Sequence, residues 1–217
     1  MTNAYFFLLS LLLASSLSFG QHNVKQEAAK FNLKKYRKEI HQARKKKNKE
    51  FKNTDHSPLS KKAQKKFKKL AYFPIDATYR VNATMELTPD TEFFEMTTSD
   101  GKVKLYRQYA LLHFMLKGKK HQLPIYRGRA LMRIPKYRNY LFIPFTDLTN
   151  GKATYGAGRY MEFYLKPNQP KEVILDFNTA YNPYCAYNTT YSCPIPPRAN
   201  HLPIKIEAGE KQFNKSK

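Results

Sequence analysis

The stretch TYRVNATMEL, residues 78–87, decides the class of fold. Its apolar side chains stand at every second position, from Tyr79 to Leu87, and polar side chains fill the positions between them. A period of two is typical of a β-strand that buries one face. We therefore predict that a β region begins after Pro74.

Turn-forming residues divide the rest of the chain into further short strands. Ser99-Asp100-Gly101 and Lys117-Gly118-Lys119 are two such turns. We predict strands over 104–116, 122–126, 140–145, 159–165, 172–177 and 202–207. Because no helical segment separates them, the sequence predicts a mainly β fold, either an antiparallel sandwich or a partly open barrel.

The two segments around Lys166-Pro167-Asn168-Gln169-Pro170 are predicted to form a hairpin. Arg159 then lies opposite the neighbourhood of Asp176 to Asn178, and a one-residue shift decides whether Asp176 faces it. If it does, the pair is either a buried ion pair that anchors the sheet or part of a ligand clamp.

Two basic helices are predicted ahead of the β region. From Val24 to about Lys52, apolar residues recur in steps of three and four, on one helical face. Ser57 and Pro58 are predicted as the N-cap and first residue of a second helix. Residues 22–70 carry 18 Lys and Arg against 4 Asp and Glu, which is most of the formal net charge of +23. These helices either pack on the β domain or bind an anionic surface.

The first 20 residues resemble a signal peptide. An apolar run precedes Ser18 and Gly20, the small residues that signal peptidase needs, so we predict cleavage before Gln21. An uncleaved anchor is the alternative, but the run is short for a membrane span. The mature chain is expected in the periplasm or outside the cell, without a transmembrane segment. The predicted organisation is a signal peptide (1–20), a basic helical extension (21–70) and a β domain (71–217).

The only two cysteines are Cys185 and Cys193. In an oxidising compartment after export, we expect them to form a disulfide. The alternative is a metal site with His201 as a third ligand, for which paired CxxC spacing and an obvious fourth ligand are lacking. The prediction is therefore a disulfide and no metal.

Polar side chains that could bind a ligand gather between residues 145 and 210. The guanidinium of Arg159 offers a planar fork that fits a carboxylate or a phosphate. Asparagines in irregular loops commonly satisfy backbone groups, and in a binding site they orient a ligand. The candidate ligand-binding residues are Asp147, Asn150, Tyr155, Arg159, Asp176, Asn178, Asn182, Asn200 and Glu210.

The sequence leaves open whether the chain is an enzyme. It lacks GxSxG, HExxH, P-loop and CxxCH motifs, and its single GxG lacks a strand-to-helix context, so no cofactor is expected. A hydrolase would have to draw its acid and base from Asp147, Asp176, Glu210 and His201.

Three blocks of the sequence resemble a known bacterial family. The first spans 145–160 (FTDLTNGKATYGAGRY), the second 175–185 (LDFNTAYNPYC), and the third 193–210 (CPIPPRANHLPIKIEAGE). They are similar to the motifs of the domain of unknown function 1684 family, and the similarity extends over most of the chain after the signal peptide. The resemblance implies no activity.

The function we expect is the binding of a small polar or anionic ligand by the loops of an exported β domain. Arg159 would clamp the ligand, and Asn150, Asn178 and Asn182 would orient it. A hydrolytic enzyme and a cell-envelope interaction protein that acts through its basic helices are the alternatives. Weak contact of the helices with an anionic envelope surface is expected, and nucleic acid is not an expected partner of an exported protein.

Overall fold

The computed structural model describes residues 31–53, 55–168 and 171–213. The predicted signal peptide and the predicted start of the first helix at Val24 lie outside these ranges. The elements below belong to one compact unit, Asn32–Lys217. They are α1 (Leu33–Asn53), α2 (Lys61–Lys66), α3 (Arg129–Met132), β1 (Arg80–Leu87), β2 (Phe94–Thr97), β3 (Val103–Leu116), β4 (Lys119–Gly128), β5 (Tyr140–Asp147), β6 (Arg159–Tyr164), β7 (Glu172–Asp176) and β8 (His201–Leu202).

The strands form a single curled sheet, and the predicted mainly β fold is confirmed. The strand order is β6-β5-β4-β3-β1-β7, with every neighbour antiparallel. β2 adds to β3, and β8 runs parallel to β5. The sheet forms a half-barrel, with β6 and β7 at its two ends. Of the two predicted architectures, the partly open barrel is therefore the one that the chain adopts.

The inner face of the half-barrel holds the main hydrophobic core. The period of two in β1 places Ala83 and Met85 in that core, whereas Leu87 at the strand end is 58% exposed. β3 and β4 pair from Leu116↔Lys119 onward, as predicted for the turn at Gly118. Burying one face of each strand removes a large apolar area from water, which is the main force that holds the sheet together.

A β-bulge gives the outer face a second cluster of apolar side chains. Between Gln108 and Ala110 the register of β3 against β4 shifts, and a shift of one residue reverses which side chains face inward. Leu112 therefore lies in the core, whereas Tyr106 joins the outer cluster. This outer cluster consists of Met96, Tyr106, Tyr126, Phe142 and Tyr160.

The hairpin predicted around 166–170 is wrong. β6 pairs with β5 and β7 pairs with β1, so the two strands are opposite ends of the sheet. Arg159 lies across from Phe145 in the register of β5, and Asp176 lies across from Arg80. The carboxylate that pairs with Arg159 is that of Asp147 at the end of β5, the strand next to β6.

The second helix is shorter than predicted and begins later. Its N-cap is Ser60, whose side chain accepts a hydrogen bond from the N–H of Ala63, and not Ser57. The hydroxyl of Ser57 instead donates to the carbonyl of Phe51 and accepts from the N–H of Leu59, which fixes the turn after α1. Phe67 ends the helix in an extended conformation because its ring packs against Phe51, 6.0 Å between centroids.

The last predicted strand, 202–207, is also mostly wrong. Only His201–Leu202 pair as a strand, and the chain then leaves the sheet. The carbonyls of Ile206 and Ala208 accept hydrogen bonds from Arg159, at 2.8 and 2.5 Å. In this segment the carbonyls accept from the buried guanidinium in place of the N–H groups of a neighbouring strand.

A substitution at Gly209 tests how tightly this C-terminal segment is packed. Its φ is +76°, and a Cβ there would lie 2.6 Å from the carbonyl oxygen of Ala180. Gly101 has a similar φ of +78° with open space around it. We expect Gly209→Ala to lower the free energy of unfolding by about 1–3 kcal/mol more than Gly101→Ala, as measured by urea titration. Equal losses in the two variants would show that the packing at Gly209 is loose.

Candidate functional site

The structure buries most of the candidate polar residues. Six of the nine are at most 3% exposed, and Asn150, Tyr155 and Asp176 are half-buried. The six buried residues are Asp147, Arg159, Asn178, Asn182, Asn200 and Glu210. A buried polar group has to find its partners inside the protein, and the contacts of these residues show where they do so.

Arg159 and Asp147 form a fully buried ion pair. Nη2 of Arg159 lies 2.8 Å from Oδ2 of Asp147, and both side chains are 0% exposed. The other carboxylate oxygen, Oδ1, accepts from the N–H of Thr149 at 2.8 Å and of Ile206 at 3.2 Å. Burial lowers the pKa of Arg159 from its ordinary value, and the charge of Asp147 opposes the shift. The guanidinium thus joins the end of β5 to the C-terminal segment.

Glu210 is the acceptor of a second buried network. Its carboxylate, 1% exposed, accepts from Lys47 Nζ at 3.1 Å and from the side-chain amide of Asn182 at 3.1 Å. The hydroxyl of Tyr187 also donates to it. Burial and the charge of Glu210 raise the pKa of Tyr187 well above its ordinary value, so the phenol stays a donor. This network attaches α1 to the loops of the β domain.

Asn200 replaces backbone pairing that two prolines prevent. β4 and β5 share only the register pair Tyr126↔Phe142. The side-chain amide of Asn200 donates to the carbonyls of Pro124 and Pro144, at 2.9 and 2.8 Å. Its Oδ1 accepts from the hydroxyl of Tyr126 at 2.6 Å. One buried side chain therefore links the two strands where their own ladder is interrupted.

Asn178 and Asn150 also bind backbone. Asn178 accepts from the N–H of Asp76 at 3.0 Å and donates to its carbonyl at 2.7 Å. Asn150 accepts from the N–H of Asp147 at 2.5 Å and donates to the carbonyl of Tyr155 at 2.7 Å. These pairs of bonds are the role that asparagines commonly have in irregular loops.

Asp176 does not pair with Arg159. It binds the N-terminal helix α1 instead. Its carboxylate accepts from the hydroxyl of Tyr36 in α1, at 2.9 Å, and from the N–H of Asn178, also at 2.9 Å. Tyr36, Ile40 and Phe51 are the buried residues of α1. The helix is thus packed on the β domain along one face.

Asp147, Arg159, Asn182 and Glu210 lie in two adjoining networks. Nη1 of Arg159 lies 3.3 Å from the carbonyl oxygen of Glu210, which connects the two networks. Asn178 and Asn200 bind elsewhere on the sheet. In the structure the contacts of these four side chains are with one another, with other side chains of the protein and with the backbone, and they fix the loops.

The predicted disulfide is not present, since Cys185 and Cys193 are both free and buried. The backbone N–H of Cys185 donates to Sγ of Cys193 at 3.2 Å, an arrangement of two thiols that are not at bonding distance. The hydrogen bond with Cys193 lowers the pKa of Cys185 to about 6, and the same bond raises the pKa of Cys193.

The metal alternative finds no support in the described residues. No group of three or more His, Cys, Asp and Glu side chains in them could hold a metal ion. Nδ1 of His201 lies 3.0 Å from the hydroxyl of Thr146. Among the described helices, none has the length and apolar character to cross a bilayer.

An open groove of about 350 Å³ lies on the outer face of the sheet, and we call it the tyrosine groove. Strands β3, β5 and β6, Leu131 of α3 and the loop 181–194 supply its walls. Among the lining residues are Tyr106, Tyr140, Phe142, Tyr160, Glu162, Tyr181, Tyr184, Tyr191 and Cys193. Edge-to-face ring pairs connect several of them, with 4.7 Å between the centroids of Phe142 and Tyr160 and 5.9 Å between those of Tyr160 and Tyr181.

Glu162 is the charged group of the tyrosine groove. Its exposed carboxylate accepts from the hydroxyl of Tyr181 at 2.5 Å and lies 3.4 Å from the hydroxyl of Tyr140. Burial raises the pKa of both phenols, and the charge of Glu162 raises them further, so both remain protonated donors. The groove thus combines aromatic walls with an oriented carboxylate.

The buried networks position the walls of this groove. Asn182, held by Glu210, lies between the wall residues Tyr181 and Pro183. Lys47 of α1 lies 4.5 Å from the ring of Tyr181, behind the wall, and Phe51 packs on Tyr184. Most of the candidate residues predicted from the sequence therefore support the walls of the groove.

None of the nine candidate residues lines the groove, so sequence analysis missed its tyrosines and Glu162. A signal for two of the groove's residues was present, because Tyr160 and Glu162 occupy alternate positions of β6, opposite to the core residue Met161. The orientation of Tyr106 could not be predicted, because it depends on the bulge and no residue type in β3 indicates that bulge.

Replacing Asp147 tests whether the buried ion pair is structural. Asp147→Ala leaves the guanidinium of Arg159 buried without its carboxylate, and we expect a loss of about 3–5 kcal/mol in the free energy of unfolding. Asp55→Ala removes an exposed carboxylate that lies 2.6 Å from Lys61, and this control should change stability little. Urea titration compares the two. A small loss in Asp147→Ala would mean that water reaches Arg159.

Comparison with known proteins agrees with the resemblance of the three blocks. Curated proteins yield no match. Among solved structures, an uncharacterized protein of Haloarcula marismortui, determined by solution NMR, is 34% identical with a TM-score of 0.62, and the alignment covers 82% of this chain and 95% of that chain. The family described as protein of unknown function (DUF1684) matches residues 65–211. That range contains the whole sheet, Arg159, Asp147 and Glu210, and the chain belongs to the DUF1684 family.

Proposed function

We propose that this chain is a small-molecule-binding protein and that the tyrosine groove is its binding site. The observation that carries the proposal is the exposed carboxylate of Glu162, held by phenol donors inside a cavity lined with aromatic rings. Small-molecule sites commonly combine apolar walls with a few oriented polar groups. The groove has this composition, and the buried networks hold its walls in place.

The chemistry of the groove favours a polar ligand that donates hydrogen bonds. An ionised carboxylate only accepts, so Glu162 pairs best with an ammonium or a hydroxyl group of the ligand. Aromatic rings add attraction for a cation or a flat apolar body. An anionic group would be repelled by Glu162. The polar ligand expected from the sequence fits the groove, and an anionic one does not.

Arg159 does not reach the groove. Its guanidinium is fully buried, and its contacts are Asp147 and the carbonyls of the C-terminal segment. A ligand clamp at Arg159 would require these contacts to open. We therefore assign the binding of the ligand to Glu162 and the tyrosines, and give Arg159 the role of positioning the loops.

A hydrolase that uses the same carboxylates is less well supported. Asp147 and Glu210 are 3% and 1% exposed, so neither faces solvent or a substrate. A general acid or base has to lie within hydrogen-bond reach of the reacting group. Of the four candidates, only His201 is exposed, and it lies beside Thr146.

We retain export as part of the proposal. It rests on the apolar run and the small residues before Gln21. The lysines on the outward faces of α1 and α2 would give the exported protein a weak, salt-dependent attraction to an anionic envelope surface. The intact mass of the protein recovered from its producing cell tests export, since a chain that still begins at Met1 would refute cleavage.

A matched series of ligands tests the groove. Benzylamine, benzyl alcohol and benzoate share an aromatic body and differ in charge. We expect benzylamine to bind most tightly and to shift the NMR signals of the groove tyrosines. Glu162→Gln should weaken benzylamine about tenfold, which corresponds to the loss of one charge-assisted hydrogen bond, and leave benzyl alcohol nearly unchanged.

Glu172→Gln is the control for this series. Glu172 is an exposed glutamate in β7 that also accepts from a hydroxyl, that of Thr84 at 2.9 Å, and it does not line the groove. Equal effects of the two glutamine variants would show that Glu162 acts only through the overall charge of the protein and not through a contact with the ligand. Absence of tyrosine shifts with all three compounds would refute the binding function.

A further inference from the structure

A second cavity, of about 520 Å³, lies beside the tyrosine groove at the start of β3. We call it the arginine cavity. α3 and the first residues of β3 supply its walls. Lys104, Arg129 and Arg133 contribute positive charge, and Val103, Leu105 and Leu131 contribute apolar surface. No acidic residue is among its lining residues.

The two arginines of this cavity are available to a ligand. Within the described residues, no carboxylate forms an ion pair with Arg129 or Arg133. Arg129 is exposed, and its guanidinium lies 5.6 Å from the ring of Phe93, which holds it near the protein surface. Arg133 is also exposed. Two guanidinium forks without carboxylate partners provide donors that match an oxyanion.

The apolar part of the cavity is exposed as well. Val103 is 48% exposed, and Leu105 and Leu131 are half-buried. Large apolar side chains grouped around a cavity are a common mark of a binding surface. An inorganic anion would use only the arginines and leave this surface in water, so the cavity fits a larger ligand.

We propose that the arginine cavity binds an organic anion with an apolar body, such as a medium-chain carboxylate. The carboxylate pairs with Arg129 and Arg133, and the hydrocarbon covers Val103, Leu105 and Leu131. The net charge of +23 raises the local concentration of anions around the chain and so assists the encounter. Because binding depends on the charge pair, it weakens as the salt concentration rises.

This site is distinct from the tyrosine groove, although both share the wall residues Tyr106 and Leu131. At Gly128 the side chains of Tyr106 and Leu131 pack directly against the backbone of this wall. A Cβ there would lie 3.2 Å from the ring of Tyr106 and 3.6 Å from Leu131. On one side of the wall the charge is Glu162, and on the other side it is lysine and arginine. The two sites therefore select ligands of opposite charge, and neither proposal rests on the other.

Octanoate, octanol and octylamine test the proposal, because they share the hydrocarbon and differ in the head group. Isothermal titration should show octanoate binding most tightly, and NMR should show shifts of the Val103 and Leu131 methyl signals. The double variant Arg129→Gln/Arg133→Gln should weaken octanoate about tenfold or more. Arg37→Gln/Arg198→Gln removes the same charge from exposed positions outside the cavity and should weaken it far less.

Two results would overturn the proposal. Equal weakening by the two double variants would show that octanoate responds only to the overall positive charge of the chain. Octylamine that binds as tightly as octanoate would show that the arginines play no part. If the cavity variant does not fold, Val103→Asp decides the matter, because an exposed carboxylate there should repel octanoate and leave the tyrosine groove unchanged.

Discussion

The buried ion pair between Arg159 and Asp147 is the constraint on which the rest of this structure depends. A guanidinium removed from water must be surrounded by acceptors, and the chain supplies one carboxylate and three carbonyls. Those carbonyls come from Ile206, Ala208 and Glu210, so the C-terminal segment has to cross the end of β5 and β6. This path of the C-terminal segment places the carboxylate of Glu210 where Asn182, Tyr187 and α1 can bind it.

The sheet uses its two faces for different purposes. The inner face buries aliphatic and aromatic side chains in a core, and the outer face between β3 and β6 carries rings that remain partly open to solvent. The bulge in β3 makes this division possible, because it turns Tyr106 outward while Leu112 stays in the core. In the function that we propose, stability and binding therefore depend on opposite sides of the same strands.

Local patterns in the sequence predict local structure well. The period of two in β1, the turn at Gly118 and the mainly β class are all confirmed, because each depends on neighbouring residues alone. The hairpin at 166–170 failed because β7 pairs with β1, a strand far away in the sequence, and β6 pairs with β5, and the local turn residues do not reveal this choice. Most of the polar residues in the three blocks have their partners inside the protein, whereas the groove that we propose as the site is built from tyrosines of several strands and a loop.

The path of the C-terminal segment has a consequence for how the chain folds. Arg159 lies 47 to 51 positions before the carbonyls that accept its hydrogen bonds. Contacts between positions so far apart form late, because the intervening loop has to be closed first. During synthesis on the ribosome, these bonds can form only after Glu210 has been made, so until then the guanidinium of Arg159 lacks the three carbonyl acceptors that the folded chain provides.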